Sequence, residues 1–351
     1  PGNRLAGLAR HAATAEARFN LEAEQGGLRL YLRPNLIARG ARDDGQPRYE
    51  GYLGQGGVRL RLSEAWSAAA GREVLNWGPA QFRSPSSPFY FDNSRGNPLR
   101  ELSGVDMARL TWTPDRAHSV TLAYIAGAGH DAAGLRGSWL LTADRRGRDH
   151  AAGLALEKTP GQGLFAGLHG RYTLNDAVLL YGEAGSSTRA DALRGTDDPA
   201  QPFVVRARSP RHGTFLLGAA YTFENGHTLN AESLHDGHGH DDAERAAFFA
   251  GAAADPALAG LALTHRPPLL GRDYLHLVWQ SNLMDSEGYW RLMLTHSLSD
   301  GGSELAGYGE HNLDGRVTVF ALGRLANGGR RGEVDALVGT SLTVGLKVAL
   351  P

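Results

Sequence analysis

Apolar and polar side chains alternate along most of this chain, in runs that end at turn-forming residues. In the last run, Leu342, Val344 and Leu346 alternate with Thr343 and Lys347. Because successive side chains of a strand point to opposite faces, each run predicts one apolar and one polar surface.

Seventeen such runs occur between residues 14 and 350. Bacterial single-chain barrels have even strand numbers. We therefore expect eighteen strands, with sixteen as the alternative; the additional strand would come from residues 3–11 or from the division of a run that contains two short strands.

The connections between the runs alternate between short and long. Short ones such as Glu224-Asn225-Gly226 carry residues that favour tight turns, whereas the long ones lie near 78–104, 187–210 and 236–271. Short turns on one rim and long extracellular loops on the other are typical of outer-membrane barrels. We predict a single domain over 1–351, an all-β, closed, antiparallel transmembrane β-barrel, with a short helix over 242–254 in the third loop.

A soluble β-sandwich or propeller would also alternate, but it would not require this short–long asymmetry or a strand-after-strand row of arginines on one face. The formal net charge of -1 speaks against a nucleic-acid-binding protein. The chain has no cysteine, which suits passage through an oxidising periplasm. Mean hydropathy is -0.32, a value that a barrel can have because every second strand residue faces a polar lumen. No signal peptide is recognised at Pro1, so we take the sequence as mature or trimmed.

The polar face of the predicted strands is rich in charge. By parity, the pore-lining residues are Arg29, Tyr31, Arg33, Arg59, Arg61, Arg109, Arg171, Glu183, Glu232, Arg291, Glu304, Glu310, Arg316 and Lys347. Rings of charged side chains allow a pore to select ions by charge. The alternative is that these residues pair across strands and only fill the lumen.

The long connection near 78–104 is stiffened by four prolines and is rich in aromatic rings. Stiff loops of this length are usually functional. We predict that it folds into the lumen as a constriction, formed by Phe82, Arg83, Phe89, Tyr90, Phe91 and Arg95. The rings would offer flat surfaces to sugars and the arginines would bind carboxylates; the alternative is a lid packed on the rim.

The segment Gly71-Arg72 to Trp77-Gly78-Pro79, followed by a Pro/Asn-rich loop and a strand from Val105, resembles outer-membrane barrels of the capsule-assembly (Wzi-like) and alginate-export group. The specific resemblance covers roughly residues 65–113. It implies eighteen strands and a role in export or attachment of surface polysaccharide. Whether a periplasmic export partner docks below such a barrel stays open.

The histidine-rich segment with His235, His238 and His240 is a candidate metal site, since three imidazoles and three carboxylates lie within eight residues there. The alternative, which we favour, is a hydrophilic loop without metal. No catalytic motif of hydrolases, metalloproteases or nucleotide-binding enzymes is present, so we expect neither an enzyme nor a cofactor.

These patterns predict an integral protein of the Gram-negative outer membrane, in contact with lipid and lipopolysaccharide. The main functional hypothesis is a channel for the export or passage of a polysaccharide or saccharide, with an anionic one included. The alternatives are a general small-solute porin and a non-conducting barrel that binds surface glycan or capsule.

Overall fold

The computed structural model describes residues 10–41, 46–127, 136–161, 163–195, 198, 203–254, 269–282, 284, 287–328, 332–334 and 339–350. These form eighteen strands in one sheet and one helix. The strands are β1 Ala12–Arg18, β2 Leu21–Gln25, β3 Leu28–Ala41, β4 Arg48–Arg61, β5 Trp66–Glu73, β6 Val105–Trp112, β7 His118–Gly127, β8 Ser138–Arg146, β9 His150–Lys158, β10 Leu164–Thr173, β11 Val178–Gly195, β12 Phe203–Thr222, β13 Thr228–Asp236, β14 Asp273–Gln280, β15 Gly288–Ser297, β16 Ser303–Asn312, β17 Val317–Asn327 and β18 Thr340–Val348; the helix is α1 Asp242–Ala254.

The predicted number of eighteen strands is confirmed, and the additional one comes from a run that divides in two. β1 and β2 replace the single strand expected over 14–25, and both pair with β3, with Phe19 and Asn20 between them. From β3 onward each strand pairs antiparallel with the next, to β18. Most of the other proposed location, residues 3–11, lies outside the described residues.

The two faces of this sheet differ as the alternation predicts. In β8, Ser138 and Leu140 are fully buried on the inner face, whereas Trp139 and Leu141 are exposed on the outer one. Leucines dominate the outer face of many strands: Leu30, Leu110, Leu168, Leu180, Leu217, Leu277, Leu292 and Leu305. An outward apolar surface that no other described part of the chain covers is the lipid-facing belt of a membrane barrel.

Aromatic pairs lie on the outer face near both ends of the strands. Trp66 stacks on Trp112 near the short turns, and Tyr124 packs on Trp139 towards the long connections. Aromatic girdles at both membrane interfaces are a feature of outer-membrane barrels, so the belt between them marks the hydrocarbon layer.

Two of the long connections differ from one another in structure. The prediction of a loop over 187–210 is wrong in its extent: β11 continues to Gly195 and β12 begins at Phe203, because their pairing resumes after irregularities near Arg189. In the connection after β13, the predicted helix 242–254 is confirmed as α1. Asp241 caps it by accepting from Glu244 N at 2.9 Å, and Asp241 N donates to the Glu244 carboxylate at 3.1 Å.

Within the described ranges, no helix has the length and apolar character needed to cross a membrane.

Candidate functional site

The connection between β5 and β6, residues 74–104, packs inside the barrel; we call it the inner loop. Its rings at Trp77, Phe89 and Tyr90 pack against apolar side chains on the inner face of β6 to β9, among them Ile125 and Leu140. Trp77 meets Phe89 edge to face, with ring centroids 6.1 Å apart. This apolar cluster attaches the loop to one part of the inner wall.

A second cluster attaches the middle of the inner loop to β11, β12, β13 and β14. Phe82 is buried against Tyr274, with ring centroids 5.8 Å apart, and stacks on His276 at 4.8 Å. The Arg83 guanidinium covers the other part of the ring, 4.6 Å from its centroid. Phe82 therefore has no face left free to contact a passing solute.

Two buried carboxylates lie beneath the same part of the inner loop. Glu183 on β11 accepts hydrogen bonds from Ala80 N at 2.9 Å, from the Ser84 hydroxyl at 2.6 Å, and from Ser86 N at 3.3 Å and its hydroxyl at 2.7 Å. Glu232 on β13 accepts from Gln81 N at 2.6 Å, Phe82 N at 2.8 Å and the Tyr181 hydroxyl at 2.7 Å. Each is only 4% exposed, so the loop covers these predicted pore-lining residues.

The open part of the lumen lies on the other side of the inner loop. A cavity of about 600 Å³ separates residues 93–95 and 100–102 from β1, β3 and β4, and it is lined there by Arg18, Arg33, Asn35 and Gln55. A second cavity, of about 380 Å³, separates residues 94–100 from Tyr289, Arg291 and Glu310 on β15 and β16. Ser94, Arg95 and Arg100 line both cavities, so the tip of the loop borders both spaces.

Arginines on β3, β4 and β6 share a small number of carboxylates. Glu22 accepts from Arg29 at 2.6 Å and from Arg33 at 3.3 Å. Glu73 accepts from Arg59 and from Arg109, each at 2.6 Å. Because two guanidiniums share one carboxylate in each group, both groups keep a net positive charge.

The Glu73 group also contains Tyr31. Its hydroxyl donates to Glu73 at 2.8 Å, and the Arg59 guanidinium lies 4.9 Å from the ring centroid of Tyr31. Glu73 is not among the pore-lining residues predicted above, although its alternation with Ala69 and Gly71 places it on the inner face.

The acidic residues of β16 are paired individually. Glu310 accepts from Lys347 at 2.6 Å and also bonds the Tyr308 hydroxyl. Glu304 forms an ion pair with Arg324. Arg324 was not among the predicted pore-lining residues. These groups contribute no net charge to their side of the lumen.

The remaining predicted residues are dispersed. Arg291 is buried and donates to the Gln81 side chain at 3.1 Å, and Arg95 donates to the carbonyls of Ala80 and Gly78. Arg171 lines a cavity between two short turns, remote from the tip of the inner loop. Arg61 and Arg316 lie at strand ends near short turns and are exposed. Phe91 is partly buried with the Phe82 cluster.

The three histidines of the candidate metal site point in different directions. His235 bonds Asp273 at 2.7 Å, His238 lies 3.3 Å from Asp236, and His240 is buried with its ring against Phe248. Among the described residues, no group of three or more potential ligands is arranged to hold a metal ion.

No family model and no curated protein matches the chain. Among solved structures, it is similar to OccAB1 of Acinetobacter baumannii (TM-score 0.60, 11% identity, 96% of this chain and 89% of that one), to OccK11 (OpdR) of Pseudomonas aeruginosa (0.52, 14%, 95% and 88%) and to OprD of the same organism (0.51, 10%, 97% and 91%).

These matches extend over nearly the whole chain, which agrees with the prediction of a closed barrel. None of these three structures is a capsule-assembly or alginate-export barrel, so they give no support to the resemblance to that group, which rested on a short motif around the end of one strand. The chain has the fold of an outer-membrane porin.

Proposed function

We propose that this protein is an outer-membrane channel for small solutes, with a preference for anions. The observation that carries the proposal is the position of the inner loop. It fills the lumen towards β6 to β14 and leaves cavities between its tip and the walls formed by β1 to β4 and by β15 and β16. In the proposal, the narrowest part of the pore lies beside Ser94, Arg95 and Arg100.

The charges beside these cavities support the anion preference. Each cavity is lined by more arginines than carboxylates: Arg18, Arg33, Arg95 and Arg100 with Glu101 in the first, and Arg95, Arg100 and Arg291 with Glu310 in the second. The balance is reversed around Arg18, which forms ion pairs with both Glu16 and Glu101. Positive charge therefore exceeds negative charge along the proposed passage, and a pore lined by excess positive charge favours anions.

The packing of the inner loop removes the main argument for a saccharide cargo. That argument required Phe82, Phe89 and Tyr90 to present flat faces to sugar rings, but they are used to attach the loop to the wall. The small-solute alternative agrees better with the porin fold and with cavities of a few hundred Å³.

The test is the conductance of the purified protein in planar bilayers, with a salt gradient to measure the reversal potential. We expect stable channels and a reversal potential on the anion side. The variant Arg33→Gln should reduce the anion preference, whereas Arg116→Gln, at an exposed short turn, should leave it unchanged. Absence of channels, or clear cation selectivity at low salt, would contradict the proposal.

A further inference from the structure

The inner loop is attached to the wall through the two buried carboxylates. We propose that the negative charges of Glu183 and Glu232 hold the loop in its inward position, so that protonation of this pair loosens the constriction and raises the conductance. This inference rests on the proposed channel function and assigns to two wall residues the positioning of the narrowest part of the pore.

The hydrogen bonds around these residues all run in one direction. Four donor groups of the loop form hydrogen bonds to Glu183, and two loop N–H groups form hydrogen bonds to Glu232. The Tyr181 hydroxyl, on the wall, also donates to Glu232. An ionised carboxylate accepts through both oxygens, and such charge-assisted bonds are about twice as strong as neutral ones. A protonated carboxyl turns one oxygen into a donor that faces other donors. Protonation therefore weakens several loop contacts at once.

No ion pair offsets the charge of either carboxylate among the residues that the structure describes. The loop supplies six of the seven hydrogen bonds, through backbone N–H groups and two serine hydroxyls, and the Tyr181 hydroxyl of the wall supplies the seventh. Burying an ionised carboxylate is costly unless it is well hydrogen-bonded. The charge and the loop position therefore depend on each other: the charge is tolerated only while the loop is docked.

Glycines stand at several of the positions where the wall and the loop meet. Gly167 and Gly185 are cross-strand partners, and a Cβ on either would lie within 3.0 Å of a loop carbonyl, that of Ser86 or of Pro85. Gly78 has φ +86°, and a Cβ there would lie within 3.0 Å of the Glu183 carboxylate. These glycines allow the loop backbone to lie directly on the wall, which is the close approach that favours glycine.

Other titratable and charged groups surround the two carboxylates. His169 is the cross-strand partner of Glu183, and His276 is that of Glu232. Tyr181 on the wall donates to Glu232 and interacts electrostatically with Glu183 and with Arg95 of the loop, and Arg291 of β15 interacts electrostatically with Glu232. The two carboxylates repel one another. The variant that tests the proposal therefore changes only the two carboxylates and leaves the two histidines in place.

The experiment measures single-channel conductance from neutral pH down to about pH 4, near the ordinary pKa of a glutamate side chain. For the natural protein we expect conductance to rise severalfold in acid. In the double variant Glu183→Gln, Glu232→Gln it should already be high at neutral pH and should no longer respond to acid. Glu224→Gln, at an exposed short turn, is the matched control and should behave as the natural protein.

A double variant that keeps the full acid response overturns the proposal, because the histidines or other groups would then carry it. A natural protein whose conductance is the same in acid overturns it as well. Absence of conductance at every pH would instead refute the channel function itself.

A second variant tests the docking without a change of charge. Gly185→Ala pushes against the Pro85 carbonyl and should raise the conductance at neutral pH, whereas Gly309→Ala, which meets open space, should not. Equal conductance of the two alanine variants in correctly folded barrels would overturn the proposal that the loop docks against the wall at Gly185.

Discussion

The lipid-facing belt predicts a cost that depends on depth when arginine replaces leucine on β15. This strand has ten residues, Gly288–Ser297. At about 3.4 Å per residue and a tilt of about 40°, it spans about 26 Å along the membrane normal, close to the roughly 25 Å of an outer-membrane belt. Leu292, which is 42% exposed on the outer face, then lies near the midplane.

Leu298 is the matched control on the same face. It lies six residues further along, about 16 Å higher along the normal by the same geometry, and is 54% exposed. Leu292→Arg should therefore cost about 2–4 kcal/mol in the free energy of unfolding, whereas Leu298→Arg, near the interface, should cost about 0–1 kcal/mol.

The assay is reversible denaturant unfolding of the protein folded into lipid vesicles, monitored by tryptophan fluorescence. Equal costs at the two positions would refute the assignment of depth. A cost below about 1 kcal/mol at Leu292 would refute the assignment of this face to lipid.

Further predictions concern the lumen and one turn. Deletion of residues 82–95 should raise conductance severalfold while the unheated protein keeps the electrophoretic mobility of a folded barrel; unchanged conductance would mean that the loop does not limit the pore. Glu73→Gln leaves two arginines without their shared partner, so it should strengthen the anion preference in reversal potentials and lower the free energy of unfolding by about 1–3 kcal/mol. Anion preference should fade as salt rises above about 0.15 M, where the Debye length is about 8 Å; a preference that is independent of salt would contradict an origin in exposed lumen charges. The hydrogen bond with His118, together with backbone N–H donors, lowers the pKa of Asp115 from its ordinary value. Its stabilising contribution is thus present above the ordinary aspartate pKa and is lost as pH falls through the lowered one, so the stability difference between the natural protein and Asp115→Asn should disappear in acid, as unfolding at a series of pH values would show.

The barrel could be predicted from the sequence because the alternation of side chains between two faces is a property of each single strand. Leu292 and Leu294 differ from Arg291 in polarity, and this contrast places each residue on one face without knowledge of its neighbours. The helix over 242–254 was equally predictable, since its aspartate cap and alanine-rich composition are local signals.

The alternation of side chains also placed Glu183 and Glu232 on the inner face, but it did not predict that they bind the inner loop. Whether an inward carboxylate meets water or a folded loop depends on contacts between residues far apart in the chain, such as Gln81 N with Glu232. The same applies to Phe82, whose ring could equally have faced a solute until its packing on His276 was known.

The class of fold, the two faces of the wall and the inner loop as a distinctive segment could all be predicted from the amino-acid sequence, because they follow from periodicity and local composition. Which part of the lumen is filled and which is open could not be predicted in this way. That choice follows from where apolar side chains such as Ile125 and Leu140, and side-chain-free positions such as Gly167 and Gly185, come together on the inner face. Their proximity is created by the pairing of strands, and no local pattern contains it.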